Sequence, residues 1–207
     1  MRFVKLLTVA TTLCLSACGS LEYPVARYDE MATRVTTLAP DPDAASGGQF
    51  DPALVHRGQY LAQIMGCGSC HTDGALVGRP NPAKLFAGSD VGIAYTDPAR
   101  DVRPGVAFPA NLTPDRRTGI GTWTDMQIAE AIRTGWHGTD GKGLMVMPWR
   151  AYTQLSAEDT QAIVAYLRSI PAIEHQVPAR AAPGVNARAP YVYFGVYRSQ
   201  PEVNAGH

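Results

Sequence analysis

This 207-residue sequence predicts an all-α fold of about three main helices joined by long loops. Three observations predict it. Three segments carry apolar residues at helical spacing behind capping residues. No strand–helix–strand alternation runs through the chain. Sixteen prolines and twenty glycines break the stretches between those segments into loop. The length suits one globular domain with extensions, enough to bury a core.

The first helix is expected to start near Asp51. Asp51 can cap it, and Pro52 fits the first helical position. Leu54, Tyr60, Leu61, Ile64 and Met65 form its apolar stripe. Gly58 lies on this helix with no capping role, so it marks a close helix crossing. The second helix opens at Thr124, which with Gln127 reads as a capping box. Trp123 and Ile128 hold the positions of a hydrophobic staple. Ile128, Ala129 and Ile132 make the buried side, and Gly135 ends the helix in the left-handed conformation. The third helix is capped by Ser156, answered by Asp159, and carries Ile163, Val164, Tyr166, Leu167 and Ile170 before Pro171 stops it. Tyr166 is the partner that residue sizes suggest for Gly58. Beyond Pro171, residues 191–197 look extended and apolar, either a strand-like arm on the domain or a docking segment.

The first helix runs directly into Cys67-Gly68-Ser69-Cys70-His71. This C-x-x-C-H run is the attachment signature of a c-type haem. Two thiols at that spacing can each add to one vinyl group of a single porphyrin. The histidine that follows is carried beneath the ring, where its imidazole can ligate iron. Other readings of C-x-x-C fit less well. A zinc site needs a second ligand pair, and no cysteine follows Cys70, while His56, His137, His175 and His207 are isolated. A thioredoxin-type site belongs near a βαβ pattern, which is missing. One motif predicts one haem, so the expected architecture is three helices and long loops around a single covalently bound haem c.

The N-terminus supplies a compartment. Arg2 and Lys5 precede an apolar stretch at residues 6–15, too short for a stable membrane-spanning helix. Leu15-Ser16-Ala17-Cys18 then resembles a bacterial lipoprotein signal, with cleavage before Cys18 and lipid on its thiol. An ordinary secretory peptide, leaving Cys18 as a plain thiol, is the alternative. Several acyl chains would anchor a domain stably where one is marginal. The expected divisions are a signal peptide at 1–17, a lipid-anchored flexible tether at 18–50, a haem domain at 51–171 and a C-terminal extension at 172–207. Cys14 leaves with the signal, Cys18 takes lipid, and Cys67 and Cys70 take haem, so no disulfide is expected. Removing residues 1–17 loses Arg2 and Lys5, leaving 16 basic side chains against 18 acidic ones. That balance points away from a nucleic-acid partner. The expected location is the periplasmic side of a bacterial membrane.

The sixth iron ligand is sought between the second and third helices. Met145 and Met147 lie there in a loop rich in glycine and ending in Pro148-Trp149. Methionine sulfur paired with histidine is typical of electron-transfer haems. Met147 is favoured over Met145, because the following proline holds its backbone extended and fixes its direction. His137 is a weaker candidate.

The order of motifs carries a family resemblance. Arg57-Gly58-x-Tyr60-Leu61, Cys67 to His71, Phe86-Ala87-Gly88 and Ala110-Asn111-Leu112-Thr113-Pro114-Asp115 follow one another. Then come Thr118-Gly119-Ile120-Gly121-x-Trp123, Met147-Pro148, Leu155-Ser156-x-x-Asp159 and Ala162-Ile163-x-Ala165-Tyr166-Leu167. Over about residues 55–171 this resembles the class I cytochrome c domains. It is most similar in pattern to those repeated in cytochrome subunits of bacterial alcohol and aldehyde dehydrogenases, which usually carry two or three where this chain shows one. The resemblance implies the cytochrome c fold, with His71 as proximal and Met147 as distal ligand. It implies a proline carbonyl, Pro80 before Pro82, accepting from the proximal imidazole. It also implies Asn111 and Trp123 near the haem propionates. The implied function is single-electron transfer rather than catalysis. A dehydrogenase would be the donor and an oxidase or another cytochrome the acceptor. A haem sensor or peroxidase-like enzyme, or a tethered docking subunit, are the rival expectations.

Overall fold

The computed structural model describes residues 38–42, 49–97, 101–137, 142–143 and 146–194. The signal region, Cys18 and Met145 lie outside them. Among the described residues there are five helices: α1 (Pro52–Ile64), α2 (Cys67–His71), α3 (Asp125–Thr134), α4 (Trp149–Tyr152) and α5 (Ala157–Ser169). α1, α3 and α5 are the three expected helices. Single 3₁₀ turns occupy Ala75–Val77 and Pro82–Lys84.

The helix ends follow local chemistry. Asp51 accepts from the Ala53 N–H, and Pro52 opens α1. The Thr124–Gln127 capping box is complete in both directions, and Gly135 closes α3 at φ 67°. Ser156 accepts from the Asp159 N–H at the start of α5.

The core lies where α1 crosses α5. A Cβ on Gly58 would stand 1.9 Å from the Ala162 carbonyl oxygen and 2.7 Å from Tyr166 Cβ. The bare glycine is therefore what lets the two backbones touch. Val55, Leu61 and Ala62 of α1 bury against Ala162, Ile163, Tyr166 and Leu167 of α5, with Ile128 and Ile132 of α3 completing the cluster. Phe86 fills the remaining side, its ring edge-on to Tyr166 at 6.0 Å between centroids. The expected stripe of α1 is corrected at two places, because Tyr60 and Ile64 are exposed. The turn that meets α5 is the one carrying Gly58.

A small sheet is added to the expected all-α frame. β1 (Gly92–Asp97) pairs antiparallel with β2 (Asp101–Ala107), Ile93 opposite Ala107. Two short ladder strands, β3 (Trp136–His137) and β4 (Lys142–Gly143), follow α3. β5 (Tyr191–Val192) lies parallel to the other side of β1, giving the order β2-β1-β5. Tyr191–Val192, within the segment expected as an arm or a docking segment, thus adds a short edge strand. Ile93 and Tyr95 are buried on one face of the β1–β2 pair, and Val106, opposite Ala94, is buried on the other, so both faces are covered. Pro104 is tolerated because β2 is an edge.

Two segments assigned to extensions lie against the domain. Tyr166 Oη donates to the Pro40 carbonyl at 2.7 Å, and Ala39 is buried in the core, so residues 38–42 pack there. Beyond α5, Ala181 exchanges backbone hydrogen bonds with Val106 at 2.9 Å each way.

Candidate functional site

The C-x-x-C-H run forms the single turn α2, which follows α1 after Met65 and a left-handed Gly66. Coiling of the run sets both thiols and the imidazole on one short element. Cys67 and Cys70 are free and half-buried, with no disulfide between them. Burial pushes the Cys67 thiol up to about 11 and raises that of Cys70. Nucleophilic redox thiols run the opposite way, so burial here favours the un-ionised thiols.

His71 is oriented from the backbone. Its Nδ1 lies 2.7 Å from the Ala110 carbonyl oxygen. A carbonyl can only accept, so Nδ1 carries the proton and Nε2 is the nitrogen left for a metal. Burial lowers the His71 pKa, and the bond to Ala110 opposes that. The ring therefore favours the neutral form that ligates iron. The expected acceptor, Pro80, is corrected. The 2.7 Å partner is Ala110, in the loop that leads out of β2. Around Pro80 the chain is turned inward on itself by local bonds, Arg79 N–H to Gly74 and Asn81 N–H to Asp73.

The loop behind α2 is clamped onto it. The Gly88 N–H donates to the His71 carbonyl at 2.9 Å, and the Phe86 N–H donates to Thr72 Oγ1 at 3.2 Å. Phe86 is fully buried at φ 57°, a left-handed conformation unusual for an aromatic residue. Its ring contact, its N–H bond and the Leu112 N–H on its carbonyl together hold it there. Gly88, at φ 87°, has no room for a Cβ, which would meet Val177 and the Pro109 carbonyl.

Asn111 is also corrected. It is 2% exposed, and its whole amide is engaged by protein. Nδ2 donates to the Ile173 carbonyl at 2.8 Å and to Thr118 Oγ1 at 3.0 Å. Oδ1 accepts from the N–H and hydroxyl of Thr113. An amide saturated in this way organises the loop rather than reaching a propionate. Trp123 is partly buried and packs against the core cluster to which Ile128 belongs. Its carbonyl accepts from the Arg168 guanidinium, which also reaches the Ile120 carbonyl and Asp125.

Met147 is half-buried at the entry to α4, and its carbonyl accepts from the Trp149 N–H at 2.8 Å. α4 is fastened at both ends. Trp149 covers the Gly135 backbone, and Tyr152 Oη donates to the Met65 carbonyl at 3.3 Å, two residues before Cys67. Burial, with charge on Cys67 and Cys70 adding to it, pushes the Tyr152 phenol up to about 12. The chain after Met147 thus returns to the C-x-x-C-H turn. Sequence reasoning did not single out Tyr152, nor His175, which is buried with Nδ1 2.8 Å from the Ala87 carbonyl. Among the described residues, no cluster of three or more His, Cys, Asp or Glu could hold a separate metal ion.

The family model for cytochrome c matches residues 55–171, more than half of the chain. The chain belongs to the cytochrome c family. Its cytochrome c domain is similar to the cytochrome c subunit of the quinone alcohol dehydrogenase of Gluconacetobacter polyoxogenes. The two are 36% identical over 132 residues, 63% of this chain and 24% of that protein. The fructose dehydrogenase cytochrome subunit of Gluconobacter japonicus is 31% identical over 140 residues, 65% of this chain and 26% of that protein. A diheme cytochrome c-type protein of Cereibacter sphaeroides is 33% identical over 122 residues, 57% of this chain and 36% of its own length. This cytochrome c chain therefore spans about a quarter of the dehydrogenase subunits it matches. The residues present fit the family's haem: two free thiols at attachment spacing, and an imidazole whose Nε2 is left for iron.

Proposed function

We propose that this cytochrome c carries electrons one at a time, with one haem per chain, between a dehydrogenase and a downstream oxidase or cytochrome. The observation that supports it best is the α2 turn, where two free thiols and a backbone-oriented imidazole share one element. Haem c, when bound, supplies iron that gains and loses one electron. Cys67 and Cys70 would hold it through thioethers, and His71 Nε2 would ligate the iron. Met147 would supply a second ligand to the iron, a role supported by its half-buried place before α4 and by the Tyr152 bond back to Met65. Ligation by both His71 and Met147 would leave no position for a substrate, and electron transfer would need no bond making. This makes the chain a carrier rather than an enzyme. The relatives named as dehydrogenase cytochrome subunits support a dehydrogenase as donor.

We assign the domain to the periplasmic side of a bacterial membrane, anchored by lipid at Cys18. Among the described residues no helix is long and apolar enough to cross a membrane. Cys18→Ala should move the protein from membrane to soluble fractions. Unchanged membrane association would sink the anchor.

Optical spectra of the haem-loaded protein test the carrier reading. Oxidised wild type should show the weak red sulfur-to-iron charge-transfer band, and Met147→Ala should lose it. A high-spin, carbon-monoxide-reactive wild type would instead mean an open sixth position, and the sensor or peroxidase-like reading would replace the carrier.

A further inference from the structure

Ala110 is exposed, and its side chain is a single methyl, so the carbonyl that holds His71 is positioned by its neighbours. On one side the Pro109 carbonyl accepts from the Ser89 N–H at 3.1 Å. On the other side stands the saturated amide of Asn111, tied to the Ile173 carbonyl and to Thr118 Oγ1. Thr118 Oγ1 also accepts from the His175 N–H at 2.9 Å and donates to Asp115. The Ile173 N–H donates to Thr113 Oγ1 at 3.1 Å, closing the ring of bonds. Residues 173–175 thus meet the Ala110 loop through the backbone N–H and carbonyl of both Ile173 and His175. They lie just past the region that matches the family.

The same segment reaches the proximal ligand by a second route. His175 Nδ1 donates to the Ala87 carbonyl at 2.8 Å, one residue before Gly88, whose N–H holds the His71 carbonyl. Val177 Cγ1 lies over Gly88. Surface contacts at this place are weaker in kind. Arg117 and Glu174 pair at 2.9 Å but both are largely exposed.

We propose that residues 173–175 form a strap that sets the strength of the His71–Ala110 hydrogen bond, with Asn111 as the positioning residue between them. The proposal rests on His71 being an iron ligand. A firm Nδ1–H···O=C bond makes the imidazole a stronger donor, which stabilises ferric iron and lowers the reduction potential. A loosened bond raises it. The segment after α5 is therefore a determinant of potential.

The test uses the full, haem-loaded chain with two neutral substitutions, so that no added charge moves the potential. Thr118→Val keeps the side-chain shape and removes the hydroxyl between Asn111 and His175. Asn111→Ala removes the amide. Two quantities are read: the reduction potential, and solvent exchange of the His71 Nδ1 proton by NMR of the ferrous form. Both variants should raise the potential and speed that exchange, by roughly tenfold for the loss of about one hydrogen bond. The sulfur-to-iron band should stay. If Asn111→Ala does not fold, Thr118→Val carries the test alone. Folded variants with wild-type potential and exchange overturn the strap, as does a fall in melting temperature with the potential unmoved. A wild-type spectrum without histidine ligation would remove the functional reading itself, so the two failures are distinguishable.

Discussion

Gly58 shows how one residue decides a packing geometry. A methyl there would collide with the Ala162 carbonyl, and backbone cannot rotate away as a side chain can. Gly58→Ala should force α1 and α5 apart and destabilise the protein by about 1–3 kcal/mol, read as a lower guanidinium midpoint. An unchanged midpoint would mean the crossing is looser than described. Tyr166 faces the same crossing and carries a second task at its hydroxyl. Tyr166→Phe would leave the Pro40 carbonyl with only the longer 3.5 Å contact from Gln59 Nε2, at a cost of about 1–3 kcal/mol by the same measurement. That Gly58 opposes Tyr166 is legible from residue sizes. That the closest atom is the Ala162 carbonyl is not, because every residue has one. Ala110 teaches the same lesson at the site. Cys67, Cys70 and His71 could be named because thioether attachment depends on side chains at fixed local spacing. The acceptor for His71 could not, since a carbonyl leaves no mark in the identity of its residue. The resemblance therefore pointed to Pro80, with Pro82 as the alternative, on residue type alone. Asn111 could be singled out, but whether it faced a cofactor or its own loop depended on Ile173, 62 positions away.

At the scale of elements, α1, α3 and α5 were readable because their ends are set within four residues. The Ser156 cap is an example. Ser156→Ala should cost about 1 kcal/mol, seen in denaturant unfolding followed by far-UV circular dichroism. A loss within error would show that tertiary packing alone holds that end. Which face of α1 turns inward was less readable. Apolar spacing favoured Tyr60 and Ile64 along with Leu61, whereas the small residues Gly58 and Ala62 select the face that meets α5. The hairpin escaped because its signal is short. Ile93 and Tyr95 do alternate inward, but Gly92, Pro104 and Gly105 blur the pattern, and β5 joins from almost a hundred residues away. Such pairing depends on chain meeting chain, not on local preference.

For the whole molecule, the counted quantity is haem. Alkaline pyridine spectra together with the protein mass should give one haem per chain, with the mass rising by a single haem. Two would mean an attachment site outside Cys67 and Cys70. The extensions are the other matter at this scale. Residues 38–42 and 173–181 are integral to the packed unit, the first against α5 and the second against β2 and the Ala110 loop. By itself the sequence pointed to the cofactor class, named Cys67, Cys70 and His71 for it, and determined the three main helices and their caps, because each depends on groups a few positions apart. Only the tertiary structure decided the acceptor for His71, the inward turn of Asn111, the added sheet and the path of residues 172–194. Those depend on backbone groups brought together across long separations, and backbone groups are chemically alike wherever they occur in a sequence.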